Sequence, residues 1–278
     1  MSAEPKIRPA QRAAVLRAQL LPVMIRRKKS DVLPELPPQV HEWRQLAWAD
    51  NDETRRLLDA VDNDLGQCAA ATDDVTRGGA FMRAVHHLGQ AKALAPSLCE
   101  HVVARARAGR PTLVFAKHLS VVKSLREQFA AAGVRVVVVT GKVPAKERGQ
   151  AYEDFHAGRA EVFLGTIDAA GESESLTAAD EVVFAELHWV PAALEQAAGR
   201  GHRLGQRSKT YSIVYYHAAH PIDEVMMNTI RRKLGYIGDV LTDPEAISLR
   251  DLITMVLRRH GGPHSPSNGA PSPVRPLT

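Results

Sequence analysis

Residues 112–167 read TLVFAKHLSVVKSLREQFAAAGVRVVVVTGKVPAKERGQAYEDFHAGRAEVFLGTI, and the rhythm of this stretch decides the fold. Three short apolar runs rich in β-branched residues, TLVFA (112–116), VRVVVVT (134–140) and EVFLGTI (161–167), alternate with two amphipathic segments near 118–132 and 144–157. Continuous apolar runs mark strands buried on both faces, and amphipathic segments of this length mark helices. Two more runs follow, EVVFAE (181–186) and TYSIVYY (210–216), with a third helical segment between them at 191–204. Strand–helix–strand repetition of this kind predicts an α/β fold with a parallel sheet flanked by helices. Pro144 and Pro191 stand where helices begin, a position that proline tolerates well.

Outward from this centre, residues 46–110 read as a helical extension, with Pro96 opening the last helix. Residues 1–45 begin helically, pass the basic cluster at 26–29 and end in LPELPPQV, where prolines 34, 37 and 38 forbid a continuous helix. On the other side, residues 218–258 carry Ile222, Met226, Ile230, Leu234, Ile237 and Leu241 on one helical face, the pattern of a bracing helix packed onto the sheet. The tail 259–278 is proline-rich and nearly free of bulky apolar residues, so disorder is expected there. The expected divisions are therefore 1–45, 46–110, 111–217, 218–258 and 259–278.

Composition narrows the function classes. The net charge is +5, and 26 of the 36 basic residues are arginines, which suits phosphate contacts without proving a polyanionic partner. No apolar run approaches the roughly 20 residues needed to span a bilayer, and the N-terminus has no apolar signal-peptide core. Cys68 and Cys99 are isolated, and neither His86-His87 nor Cys99 with His101 has a third and fourth ligand nearby, so no metal site is expected.

The segment with the most chemistry is QAAGRGHRLGQ, 196–206. On a continuous helix Gln196, Arg200 and Arg203 fall at about 0°, 40° and 340°, one polar face, while Leu194, Ala197, Ala198, Gly201 and Leu204 share the opposite apolar one. Two guanidiniums one turn apart suit a phosphate, since each can donate two parallel hydrogen bonds to its oxygens. By geometry alone the same spacing also suits a solvent-facing arginine pair making surface salt bridges.

QAAGRGHRLGQ resembles the last helicase motif of the SWI/SNF superfamily, and four further segments match that family in order. MIRRKKSDVLPELPP (24–38) resembles its arginine-rich inter-lobe junction, and LVFAKH (113–118) the strand opening its second lobe. VTGKVPAKERGQAYEDFHAG (139–158) is similar to its glycine turn and following helix. TIDAAGESESLTAADEVVFAELHWVP (166–191) resembles its coupling loop, and FAELHW is similar to the annealing-helicase, fork-remodelling branch. The resemblance implies a RecA-like second lobe. Within it, Arg200 and Arg203 would act as catalytic arginine fingers, and Gln196, Arg200, Arg203 and Gly171 would line the ATP side. Lys117, Gly141, Lys142 and Thr166 would follow the DNA backbone.

Departures from the family pattern fall in the coupling loop, where Ser173 and Glu174 replace glycine and an apolar residue, and at Gly199, which replaces an acidic residue. The larger departure is that the sequence contains no G-x-x-x-x-G-K-S/T loop to cradle phosphates and no acidic pair after a buried strand to hold Mg2+. ATP and Mg2+ would therefore be held mainly by a first lobe. With a junction-like segment so close to Met1, the expectation is a split motor. A separate polypeptide carrying Walker A and DEAH-like motifs would be its partner beside DNA, and the chain alone would be inactive. A non-catalytic DNA-binding or regulatory module, and a remnant without a role, are the competing expectations. An intracellular setting, cytoplasm or nucleoid, in a prokaryote or virus would suit all three.

Overall fold

The computed structural model describes residues 33–171, 174–237 and 249–261, with the backbone alone at 170–171 and 232–237. Six strands form one fully parallel sheet: β1 (Gln39–Gln45), β2 (Thr112–Ala116), β3 (Val136–Val139), β4 (Val162–Thr166), β5 (Glu181–Phe184) and β6 (Tyr211–His217). Their order across the sheet is β1-β6-β5-β2-β4-β3. β2, β4 and β5 are buried along their whole length, as continuous apolar runs require. β3 differs from the sequence expectation: it is an edge strand, shortened to four residues, and only Val139 is fully buried.

The two faces of the sheet take alternate residues of each strand. Leu113, Phe115, Phe163, Val182, Phe184 and Tyr215 enter one core; Val114, Ala116, Val162, Leu164, Val183 and Val214 enter the other. Helices α3 (Pro96–Arg107) and α4 (Leu119–Ala131) cover the second face. The first is covered by α5 (Ala145–His156), α6 (Pro191–Ala198), α7 (Pro221–Ile237) and α8 (Leu249–His260), together with a hairpin of α1 (Asp52–Ala70) and α2 (Asp74–Ala93). Local chemistry sets the helix starts. Asn51 and Asp73 cap α1 and α2 through side-chain oxygens that accept from the amides of Thr54 and Thr76, at 2.7 and 2.8 Å. Prolines open α3 and α6 at their first turn.

The expected bracing helix is present as α7, with Ile222, Met226 and Ile230 buried. The side chains of Leu234 and Ile237, Leu241, the coupling-loop Ser173, the basic cluster at 26–29 and the tail beyond 261 lie outside the described residues. A buried ion pair fastens α7 to the helical hairpin. Lys92 Nζ stands 2.7 Å from Asp223 and donates to the Tyr216 carbonyl at 3.1 Å, while Asp223 accepts from the Ala218 amide at 2.8 Å. Removing one partner of such a pair leaves a buried charge and costs about 3–5 kcal/mol.

Strand β1 was not anticipated from its sequence. QVHEWRQ has little apolar content and lies at the sheet edge, so it carries no buried-strand signal. It is held through its backbone pairing to β6, by Trp43 stacked on Tyr215 at 4.4 Å, and by Arg44 reaching His101 at 2.9 Å.

At Gly89 in α2 an added Cβ would lie 2.2 Å from Glu186 Oε1, so helix and carboxylate approach at a distance only glycine permits. Gly89→Ala is expected to destabilise the fold by about 1–3 kcal/mol through overpacking. Gly79→Ala, in open space on the same helix, should instead gain up to ~1 kcal/mol. Urea unfolding of both variants checks this, and equal effects would contradict the packing account.

Candidate functional site

A parallel sheet gathers its strand ends along one edge, where ligands bind in open α/β folds. Here that edge carries Lys117 after β2, Thr140, Gly141 and Lys142 after β3, Thr166 ending β4, and Glu186 to Trp189 after β5. The register places Ala116 beside Thr166, and Val139 beside Gly165, so the sequence-predicted DNA-side residues are brought together. Gly141 and Lys142 are exposed, while Thr166 is only 7% exposed.

Lys117 is not presented openly. Among the described residues its Nζ has no hydrogen-bond partner, and it lies over the Trp189 ring, 3.5 Å from the centroid. Burial pushes its pKa down to about 8, against the upward pull of Glu186 and Asp168. Trp189 thus covers a lysine as well as packing against the core.

Beneath them is a residue that carried no role in the sequence reading. Glu186, 4% exposed, accepts from the amides of Lys117 and His118 at 2.8 and 2.9 Å, and its other oxygen is 2.7 Å from His118 Nδ1. It ties the end of β5 to the start of α4 at the point where the strand order diverges. An acid immediately following a buried strand, in FAELHW, was the available signal. Burial alone would raise the Glu186 carboxyl, but the hydrogen bonds and charge of His118 and the charge of Lys92 outweigh it, holding it below the usual range.

The arginine segment lies near the opposite edge, where strands begin, and its form corrects the sequence expectation. Helix α6 stops at Ala198 instead of continuing to 204, so Gln196, Arg200 and Arg203 do not share one helical face. Three glycines, 199, 201 and 205, disfavour helix. The end of α6 is met by the Tyr211 hydroxyl, which donates to the Ala198 carbonyl at 2.9 Å. Residues 199–206 form an irregular loop instead, with Gly205 at φ 96°. Leu194, Ala197, Ala198 and Gly201 are buried as expected, but Leu204 is 62% exposed because the helix that would have packed it has ended.

Gln196, at the end of α6, is exposed; within the loop Arg200 is 4% exposed and Arg203 is half-buried. Arg203 donates from Nε to the Gly199 carbonyl at 3.3 Å and from Nη1 to Ser175 Oγ at 3.4 Å. The Arg200 carbonyl accepts from the Leu176 amide at 2.8 Å. Gln206 braces the loop by donating to the carbonyls of Ala179 and Gly201 at 2.7 and 3.0 Å. A polar cleft of about 530 Å3 opens beside it, lined by Gly109, Arg110, His156, Thr177, Asp180 and Gln206 among others. Gly171 ends a one-turn 3-10 helix, Asp168–Gly171, that packs against α6, and Glu174 is exposed. Among the described residues no group of His, Cys, Asp and Glu could hold a metal ion, and no helix is long and apolar enough to cross a membrane.

The six-stranded parallel sheet flanked by helices is RecA-like, and residues 94–205 match the helicase conserved C-terminal domain. Over most of its length the chain is similar to SWI/SNF-related proteins.

It is 29% identical over 238 residues to a Caenorhabditis elegans homolog of SWI/SNF-related matrix-associated actin-dependent regulator of chromatin subfamily A-like protein 1, covering 82% of this chain and 33% of that protein. To the DNA annealing helicase and endonuclease ZRANB3 of Mus musculus it is 29% identical over 255 residues, covering 84% and 22%. The chain therefore spans between about a fifth and a third of the curated relatives it matches. Among solved structures, the C-terminal part of the Fun30 ATPase domain superposes with TM-score 0.59 at 13% identity, over 81% of this chain and 98% of that one. The Sulfolobus solfataricus SWI2/SNF2 ATPase core in complex with dsDNA superposes with TM-score 0.60 at 16% identity, over 87% and 53%. These two likenesses bear on the fold.

The Glu186 carboxylate, lowered in the folded state, stabilises the protein fully above its ordinary value of 4.5, and that stability is lost as pH falls through the lower folded value. Glu186→Gln should therefore flatten the acid limb of a melting-temperature profile below about pH 4.5. An unchanged acid limb would contradict the role assigned to this carboxylate.

Proposed function

We propose that the chain is the second half of an ATP-dependent DNA helicase or translocase, completing a phosphate-cradling first lobe that lies outside these 278 residues. A first lobe with Walker A and DEAH-like motifs is the partner this reading calls for. The observation that carries it is the connection between the two sheet edges. The chain leaves the Lys117–Lys142 edge at Thr166, turns at 168–171, and by Ser175 and Leu176 is hydrogen-bonded to Arg203 and Arg200. Movement of a bound polyanion at one edge has a short covalent path to the arginines at the other.

In this reading ATP is the substrate, and the chain fits only part of it. Arg203, half-buried at the loop, supplies a fixed positive charge to the γ-phosphate oxygens, where charge spreads during transfer. Arg200, deeply buried, shapes the same loop from within, and Gln196 is exposed at the end of α6. Mg2+ would be held on the other lobe. Lys142 and the Thr140–Gly141 turn contact DNA phosphates without reading bases, and Lys117 joins them when Trp189 gives way. A non-catalytic DNA-binding or regulatory module is the second reading. The exposed Glu174 favours it, since a carboxylate on this segment repels phosphates.

Mixed with a Walker-bearing first lobe, the chain should show DNA-stimulated ATP hydrolysis that falls by about 10³-fold or more in Arg203→Ala, with DNA affinity nearly unchanged. Lys142→Ala should weaken binding alike for all sequences and lower the salt slope by about one. DNA binding with no hydrolysis beside any such lobe would replace the motor reading with the binding module.

A further inference from the structure

The arginine loop has no regular structure and three glycines, yet it is anchored through His202 to a segment far away in sequence. His202, 7% exposed, has Nε2 at 2.8 Å from the Pro37 carbonyl, 165 positions earlier. A carbonyl can only accept, so Nε2 carries the proton and donates. The next carbonyl, that of Pro38, accepts from the Tyr211 amide at 3.0 Å. Tyr211 packs against the His202 ring, centroids 5.4 Å apart, and its hydroxyl closes the end of α6. Gly201 packs directly against Tyr211; a Cβ there would lie 2.5 Å from its hydroxyl.

Pro37-Pro38 suits an anchor of this kind. Both residues have φ fixed by the ring and lack an N–H, so they form a stiff strut whose polar groups are its carbonyls. The strut leads directly into β1, which runs parallel to β6 from Gln39 beside Tyr211.

We propose that His202 is a positioning residue: its bond to Pro37 registers the arginine loop against the strut leading into β1, so the arginines are set in place only while that strut is docked. The inference rests on the motor reading, because it takes Arg203 to be the group that needs placing. It adds a mechanical consequence. Any displacement of the chain entering β1 pulls on the arginine loop directly, without passing through the sheet.

Two measurements test it. Hydrogen exchange of the whole chain needs no partner. His202→Ala should speed exchange of the 199–206 amides by about tenfold while β2, β4 and β5 stay as protected as in the parent, and His202→Gln, whose amide can still donate to Pro37, should recover most of the protection. In the assembled motor His202→Ala should lower kcat about tenfold with KM for ATP nearly unchanged, and His202→Gln should recover it. Unchanged exchange in the loop, exchange raised across the whole sheet, or an unchanged kcat would each overturn the proposal. A parent chain inactive beside every first lobe would instead remove the motor reading, while the exchange result would still decide whether His202 anchors the loop.

Discussion

A parallel sheet has to place every strand end on one edge and every strand beginning on the other, and the rest of this molecule is arranged around that separation. The lysines and small residues suited to a phosphate backbone gather where β2, β3 and β4 end, whereas the arginine loop hangs between the end of α6 and the beginning of β6. Two chemistries on opposite edges need a link. The link is the segment after β4: its turn at 168–171 packs against α6, and Ser175 and Leu176 reach the arginines through one side-chain and one backbone hydrogen bond.

Each edge is held by a buried polar group whose own role is structural. At the strand-end edge Glu186 receives two amides and a histidine, which fixes where Lys117 leaves β2 and α4 begins. Such a carboxylate is tolerable in the core only because its partners are complete. At the other edge Tyr211 and His202 hold a glycine-rich loop against a proline strut, so a segment with almost no helix propensity keeps one shape. In both cases glycine permits the contact: Gly89 beneath Glu186 and Gly201 beneath Tyr211 leave room that any side chain would fill.

Much of the sheet was legible in the sequence. TLVFA, EVFLGTI and EVVFAE are uninterrupted apolar runs because their strands are covered on both faces, and the helices between them start at proline or end near glycine, as expected. Strand β1 was not legible: an edge strand of polar and aromatic residues is held by backbone pairing and stacking, which leave no period in the sequence. The helix expected through 204 failed for a related reason. A helical wheel assumes that the helix continues, whereas Gly199, Gly201 and the Tyr211 hydroxyl end it after Ala198. Glu186 left one signal, an acid after a buried strand, but its partner His118 is 68 positions away; His202 left none, because its partner Pro37 is 165 positions away.

The central claim is that the loop at 199–206 faces the terminal phosphate of ATP held by another lobe. It is tested most directly by photocrosslinking from an ATP analogue carrying its reactive group on the γ-phosphate, bound to a Walker-bearing first lobe and mixed with this chain. The account predicts an adduct on residues 196–206, formed only when both lobes are present and competed by unlabelled ATP. An adduct elsewhere on this chain, or none at all from a lobe shown to hold the analogue, would contradict it.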